Sequence, residues 1–332
     1  MLEMVVLNKN LRAGVITLCI SALAISSVQA NEGLSHWSSG EARARIVEFV
    51  ANISDPDSAN YVPVDERVAV FDNDGTLWSE DPWPVPFEFL LYRIKNLEHA
   101  NPDWRHTYPY RAVLENDREW LEENLHKVIG LMYARAQTNL SVDEYDRLAT
   151  DFLAIARHSE TDMRYTQMVY VPMLQLMQFL RDAGFTVYIV SGGDVDFIRA
   201  YSEDVYGVPR ANIIGSRMRY KLLESEEEMR IVRTARRDMI NLGSNKALSI
   251  HIAAGRRPIV AVGNSDSDLQ MLQFSATGLQ PSLQIVLIHD EAEREPDVSA
   301  TEKLVAVATA SDWLKVSMKS DFLKLYADDA SY

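Results

Sequence analysis

Short β-branched apolar runs along the chain stop abruptly at glycine or polar residues, and between them apolar positions recur three and four apart. The runs are Val68-Ala69-Val70-Phe71, Phe185 to Val190, Pro258 to Val262 and Leu283 to Ile288, with Trp313 to Met318 as a short edge run. Each reads as a strand buried on both sides. Helical spacing predicts helices over Trp37 to Ile53, Pro172 to Ala183, Asp196 to Tyr206, Lys246 to Ala254 and Leu269 to Phe274. The stretch from Ile213 to Val232 is ambiguous. Met218, Tyr220, Leu222 and Leu223 suggest strands there, and Glu226-Glu227-Glu228 reads as a solvated face or turn. Strands alternating with helices predict an α/β fold, a doubly wound, Rossmann-like and largely parallel sheet.

One long stretch breaks this rhythm. After Trp78 comes a stiff connector, Asp81-Pro82-Trp83-Pro84-Val85-Pro86, in which each proline fixes its φ and lacks a donor. From Phe87 to about Tyr165 the pattern is helical throughout, and Ser141 and Glu144 are spaced as a capping box. The expected organisation is a core formed by 31–78 and 166–332, interrupted by a helical insert over 79–165. Because the insert enters beside the end of the first strand, it is expected to close over that end and to choose what enters.

The length of 332 residues suits such a core with an insert, and 47% apolar with 24% charged residues is ordinary for a globular chain. The net charge of −15 argues against nonspecific nucleic-acid binding and attraction to anionic membranes, while leaving room for a local basic patch. The amino terminus is different. Lys9 and Arg12 precede an apolar run from Ala13 to about Val28, and Val28-Gln29-Ala30 offers a small-x-small cleavage site. Residues 1–30 therefore read as a secretory signal peptide, its run being short of the about 20 residues of a comfortable membrane span. Cys19, the sole cysteine, lies inside it after Thr17-Leu18, a poor context for lipidation. The mature protein is expected in the periplasm or outside the cell, without stable membrane association, disulfide or thiol nucleophile.

Chemistry concentrates where the apolar runs end. The first closes on Asp72-Asn73-Asp74-Gly75-Thr76, and ligands of open α/β sheets bind at the carboxyl ends of strands. Two acids converging there need a cation or a proton between them, and Mg²⁺ favours such oxygen donors. The competing reading is a hairpin turn at Asp74-Gly75. The second run closes on Ser191-Gly192-Gly193-Asp194, and the third on Gly263-Asn264-Ser265-Asp266-Ser267-Asp268, with Lys246 near the start of the helix before it. Alone, a serine-glycine turn is commonplace and a lysine near a helix start is usually solvent-exposed. A calcium loop at Asn264–Asp268 lacks its glycine, since Leu269 stands there. A zinc site has little support: the seven histidines form no close pair at ligand spacing.

Taken in order, strand–DxDGT, strand–SGG, lysine and strand–GNSDSD resemble the four motifs of the haloacid dehalogenase-like superfamily, mostly phosphohydrolases. The resemblance runs from about Val68 to Leu272, is closest to the phosphoserine-phosphatase-like branch in an exported form, and places the insert where many such enzymes carry a cap. It implies a Mg²⁺-dependent phosphomonoester hydrolase acting on a small phosphorylated substrate. By the same resemblance Asp72 is the nucleophile that forms an aspartyl-phosphate, and Asp74 is the general acid and base. Ser191 and the backbone around Gly192 and Thr76 hold phosphoryl oxygens, and Lys246 balances charge. Mg²⁺ is held by Asp72, the Asp74 carbonyl and the last loop. There the chain departs from the pattern, with Asn264 where many relatives have aspartate; either Asn264 ligates with Asp268 in support, or Asp268 or Asp266 takes over. Dehalogenation is disfavoured because the resembling dehalogenases lack a second acid at the place of Asp74. A phosphotransferase or phosphomutase, or a non-catalytic metal- or ligand-binding protein on the same fold, are the alternatives. Trp78, Trp83, Trp104 and Trp120 serve either as core or as a ligand platform, and His289-Asp290 reads as a loop cap.

Overall fold

Seven strands form one sheet: β1 (Val68–Phe71), β2 (Thr186–Asp194), β3 (Ile213–Glu224), β4 (Met229–Met239), β5 (Val260–Gly263), β6 (Leu283–Ile288) and β7 (Leu314–Ser317), in the spatial order β4-β3-β2-β1-β5-β6-β7. The structure is a computed structural model that describes residues 33–225, 228–291 and 301–327. The expected leader over 1–30, Cys19, and Glu226-Glu227 lie outside the described residues. Every pairing is parallel except the antiparallel β3–β4 hairpin. From β1 the chain winds outward through β2 and β3 on one side and through β5, β6 and β7 on the other. The strand order therefore reverses between β1 and β5, and a crevice opens at their carboxyl ends.

The continuous apolar character of β1 has a direct cause. Val68 and Val70 join one buried cluster while Ala69 and Phe71 join another, as period-two side chains must when helices cover both faces. One face is covered by α1 (Glu41–Ser54), α6 (Val171–Asp182) and α7 (Val195–Arg199), through Ile46, Met173, Leu176 and Phe197. The other is covered by α9 (Ser244–Ala254), α10 (Leu269–Ala276) and α11 (Glu302–Ala310), through Ile250, Met271, Leu272 and Leu304. Helix α11 was not among the expected elements, although Leu304 and Ala308 are spaced for one buried helical face. The helix expected over Asp196 to Tyr206 is two short ones, α7 and α8 (Ser202–Tyr206).

Between β1 and β2 run α2 (Val85–Asn96), α3 (Tyr110–Glu115), α4 (Arg118–Ala136) and α5 (Val142–Ile155). Phe87, Leu90, Ile94, Trp104, Val113 and Met132 make a separate buried cluster there. Helix α5 instead packs into the main core through Tyr145, Phe152 and Leu153. Its capping box is present: the Glu144 amide donates to Ser141 Oγ at 3.1 Å and Glu144 accepts from the Ser141 amide at 2.7 Å. The ambiguous stretch is the long β3–β4 hairpin. Its outer strand pairs with the segment before α5, the Asn139 amide donating to the Arg233 carbonyl at 2.9 Å and the Arg233 amide to Leu140 at 2.9 Å. Among the described residues no helix is long and apolar enough to cross a membrane.

Candidate active site

The ladder outlasts β1 by one residue, since the Asp72 amide donates to the Val262 carbonyl at 2.9 Å. A tight turn follows: the Thr76 and Leu77 amides donate to Asn73 at 3.1 and 2.8 Å, and the Gly75 amide to Trp78 at 2.9 Å. Gly75 takes φ +71°, and a Cβ there would lie 2.2 Å from Asn264 Nδ2 and 2.6 Å from Glu80 Oε1. Handedness and space both demand glycine. Asp72 and Asp74 consequently stand on the turn beyond the strand, not on one face of a continuing strand as their spacing suggests. The Thr76 amide, expected among the backbone groups that hold phosphoryl oxygens, donates within this turn instead.

Lys246, in the first turn of α9, is wholly buried rather than solvent-exposed, and its Nζ lies 2.5 Å from Asp72 Oδ1 and 2.5 Å from Asp268 Oδ1. The other oxygen of Asp268 accepts from the Asn264 and Ser265 amides at 3.1 Å each. Its carboxylate fills the place of a side chain at Gly263, where a Cβ would sit 2.6 Å from Asp268 Cγ. Asp74 Oδ1 accepts from Trp78 Nε1 at 2.8 Å and from Asn73 Nδ2 at 3.2 Å, while Oδ2 accepts from the Ser191 hydroxyl at 3.4 Å. Ser191 also accepts from the Gly193 amide at 2.8 Å, and Gly192 is pressed by Leu242, which a Cβ would meet at 2.4 Å. Asn264 accepts from the Thr76 hydroxyl at 3.0 Å and donates to Glu80 at 3.3 Å. Asp266 turns away and accepts from the Leu304 amide at the start of α11, at 2.8 Å.

Charge in this crevice is unbalanced. Burial, and then the neighbouring Asp268 carboxylate, push the Asp72 carboxyl well above the usual range, with Lys246 opposing. Burial also pushes Asp74 up, against its hydrogen bonds to Trp78, Ser191 and Asn73 and the nearby Lys246 charge. Burial works against the Lys246 ammonium, but Asp268 and Asp72 outweigh it and hold it charged. Three acids thus meet one cation, and a second cation would relieve them. Among the described residues no group of three or more His, Cys, Asp or Glu side chains is arranged to hold a metal. The oxygen donors of the crevice are mixed instead: the Asp72 carboxylate, the backbone around Asp74 and the Asn264 amide oxygen, which accepts from the Thr76 hydroxyl while the amide nitrogen packs against Gly75. Such hard oxygens fit Mg²⁺.

Glu80 and Arg233 were not singled out in the sequence, and the structure settles where the residues left open there lie. Glu80 reads as one acid before a proline-rich connector, yet its side chain reaches Asn264. His289 Nε2 lies 2.6 Å from the Gly75 carbonyl, steadying the turn, while Asp290 bonds Ser317 Oγ at 2.6 Å as a loop cap. Arg233, from β4, reaches Asp194 at the end of β2 and Asp196 in α7, and lies 3.8 Å over the Tyr145 ring of α5; the strand expected to close at Val190 thus runs on through Ser191 to Asp194. Of the tryptophans, Trp78 stacks on Tyr201 at 4.6 Å and touches Asp74, whereas Trp83 and Trp104 pack on Phe87 and Tyr110, and Trp120 on Tyr108. A cavity of about 530 Å³ at the amino ends of β6 and β7 is at the opposite edge of the sheet.

The family model described as haloacid dehalogenase-like hydrolase matches residues 69–273. No curated protein matches the chain. Among solved structures, a conserved protein of unknown function from Anaerococcus prevotii is similar at TM-score 0.54 and 17% identity, over 87% of this chain and 96% of its own. A protein of unknown function from Bordetella pertussis is similar at TM-score 0.50 and 14% identity, over 76% of this chain and 98% of its own. A phosphoserine phosphohydrolase-like protein from Francisella tularensis matches at TM-score 0.36 and 16% identity, over 73% of this chain and 99% of its own.

Proposed function

The chain belongs to the haloacid dehalogenase-like hydrolase family, and from that premise we propose that it is a Mg²⁺-dependent phosphomonoester hydrolase working through an aspartyl-phosphate on Asp72. The observation that carries this reading is a division of labour between two acids two residues apart. Asp72 is paired with a buried lysine, while Asp74 is held by Trp78 and Ser191 with its carboxyl pushed upward. Burial pushes both carboxyls up, but only Asp72 has an ammonium at hydrogen-bond distance to favour its anion, which leaves Asp74 the better placed to carry a proton, as attack on phosphorus with loss of an alkoxide requires.

Asp72 attacks phosphorus in line, and Asp74 gives its proton to the departing alcohol oxygen. Asp74, now a carboxylate, takes a proton from the water that attacks the aspartyl-phosphate, and phosphate leaves with Asp72 restored. Lys246 steadies Asp72 before attack and the phosphoryl oxygens after it, and the Ser191 hydroxyl with the backbone at Gly192 holds those oxygens in place. Mg²⁺ bound by Asp72, the Asp74 carbonyl and Asn264 would supply the positive charge that lets an anion approach a phosphate dianion. The substrate is a small phosphorylated molecule whose leaving group meets the helical insert. The basic–apolar–small order of residues 1–30 supports an exported protein.

The test is phosphate release from an aryl phosphate and a panel of phosphomonoesters with added Mg²⁺. Turnover by the wild type, abolished in Asp72→Asn at unchanged circular dichroism, is the expected result. Turnover surviving in Asp72→Asn, or persisting after exhaustive chelation, would overturn the assignment.

A further inference from the structure

We propose that Glu80 is a positioning residue of the metal site, and that it carries, one hydrogen bond behind Asn264, the negative charge that an amide cannot bring to Mg²⁺. The inference rests on the metal reading above. Asn264 is 1% exposed and held at both ends: its oxygen accepts from Thr76, and its nitrogen donates to Glu80. An ionised carboxylate only accepts hydrogen bonds, so it compels the amide to present Nδ2 to Glu80 and Oδ1 elsewhere. The oxygen, the only end of the amide able to bind a hard cation, is thereby turned to the Thr76 hydroxyl, on the turn that follows Asp72 and carries Asp74. Pulling density from N–H toward the carboxylate also makes that oxygen more negative.

Position supports the same conclusion. Glu80 is itself buried, at 9% exposure, so water does not compete for its bond to Asn264. Its neighbours are pinned: the Ser79 amide donates to the Met168 carbonyl at 3.0 Å, and Trp78 bridges to Val169. Glu80 Oε1 and Asn264 Nδ2 both occupy the space a Cβ at Gly75 would take, beside the residue joined to the Asp74 carbonyl. Amide and carboxylate together are thus equivalent in charge to one aspartate at position 264, divided between two side chains from opposite ends of the fold.

The experiment is calorimetric titration of the purified, metal-free protein with Mg²⁺, for the wild type, Glu80→Gln, Asn264→Asp and the double variant. Glu80→Gln is expected to weaken Mg²⁺ binding about ten-fold or more, the usual effect of losing a group that orients a ligand. In the double variant the charge moves onto residue 264 itself, and affinity is expected to return to near the wild-type value. A purely structural Glu80 would not be rescued this way. Asn264→Asp alone sets two carboxylates in contact, so its metal-free melting temperature is expected to fall and its rise on adding Mg²⁺ to exceed that of the wild type. Should Glu80→Gln not fold, the single Asn264→Asp variant decides: an equal Mg²⁺-dependent rise in both proteins overturns the proposal. Equal affinity in wild type and Glu80→Gln, or a double variant as weak as Glu80→Gln, also overturns it while leaving the hydrolase reading in place. A wild type that binds no Mg²⁺ overturns the metal reading and this inference together.

Discussion

Arg233→Met is the perturbation whose outcome the structure specifies most fully. Arg233 is completely buried, and the side chains of Asp194 and Asp196 beside it are 8% and 11% exposed. Methionine keeps most of the volume and removes the charge, leaving two carboxylates facing each other with only the partly exposed Arg199, 3.6 Å from Asp196 Oδ1, as a nearby cation. Removing one partner of a buried pair costs about 3–5 kcal/mol, and the lost contact with the Tyr145 ring adds up to about 2 kcal/mol. At about 2–4 °C per kcal/mol for a chain of this size, the melting temperature should fall by roughly 6 °C at least. Urea unfolding followed by tryptophan fluorescence measures the deficit directly. Its pH dependence gives a second check. Burial first, then Asp194, already hold the Asp196 carboxyl above its ordinary range, with Arg233 opposing; without Arg233 the rise is larger. A carboxyl raised in the folded state contributes stability that is fully present below the unfolded value of about 3.9 and is lost as pH rises through the folded value. The deficit of Arg233→Met should therefore shrink as pH falls from neutrality toward about pH 4, since a proton replaces the missing cation. Adding Asp194→Asn and Asp196→Asn should recover much of the stability at neutral pH. A deficit below about 1 kcal/mol, or one that grows on acidification, would refute the reasoning.

Asp74→Asn should impair alkyl phosphates far more than activated aryl phosphates, because only the former need a proton on the leaving group; equal losses in kcat/KM on both would contradict its role. Trp78→Phe keeps an aromatic ring against Tyr201 but removes the donor to Asp74, so kcat should fall with KM little changed, whereas a change in KM alone would argue for substrate contact instead. Trp83→Ala, which loses its packing on Phe87, should lower kcat/KM on the best natural phosphomonoester selectively if the insert selects the leaving group; parallel losses on all substrates with a lower melting temperature would make it scaffold. Intact-mass analysis of exported protein should find an amino terminus at Asn31, and a membrane-bound form retaining Lys9 would reject the leader.

The sequence alone was enough to find the sheet and the acids at its edge. Strands covered on both faces are apolar at nearly every position, and that signal survives without knowing the neighbours; β1 and β5 are of this kind, and β6 apart from Gln284. Where one side meets solvent the signal fades. In the β3–β4 hairpin, Arg217, Lys221 and Arg230 alternate imperfectly with Met218 and Val232, so strand character was visible but pairing was not. Asp72 and Asp74 were legible because chain direction alone sets them at a strand's carboxyl end. The burial and partners of Lys246, whose charge-balancing role the resemblance had implied, and the contacts of Glu80 and Arg233 were decided by the tertiary structure. Lys246 meets a carboxylate 174 residues away, Glu80 an amide 184 away and Arg233 a carboxylate 39 away. A lysine, glutamate or arginine in a sequence is by default a solvated surface group. Only burial beside a partner brought from elsewhere in the chain makes its charge costly to lose, and such burial exists only once the sheet, its helices and the insert have closed around it.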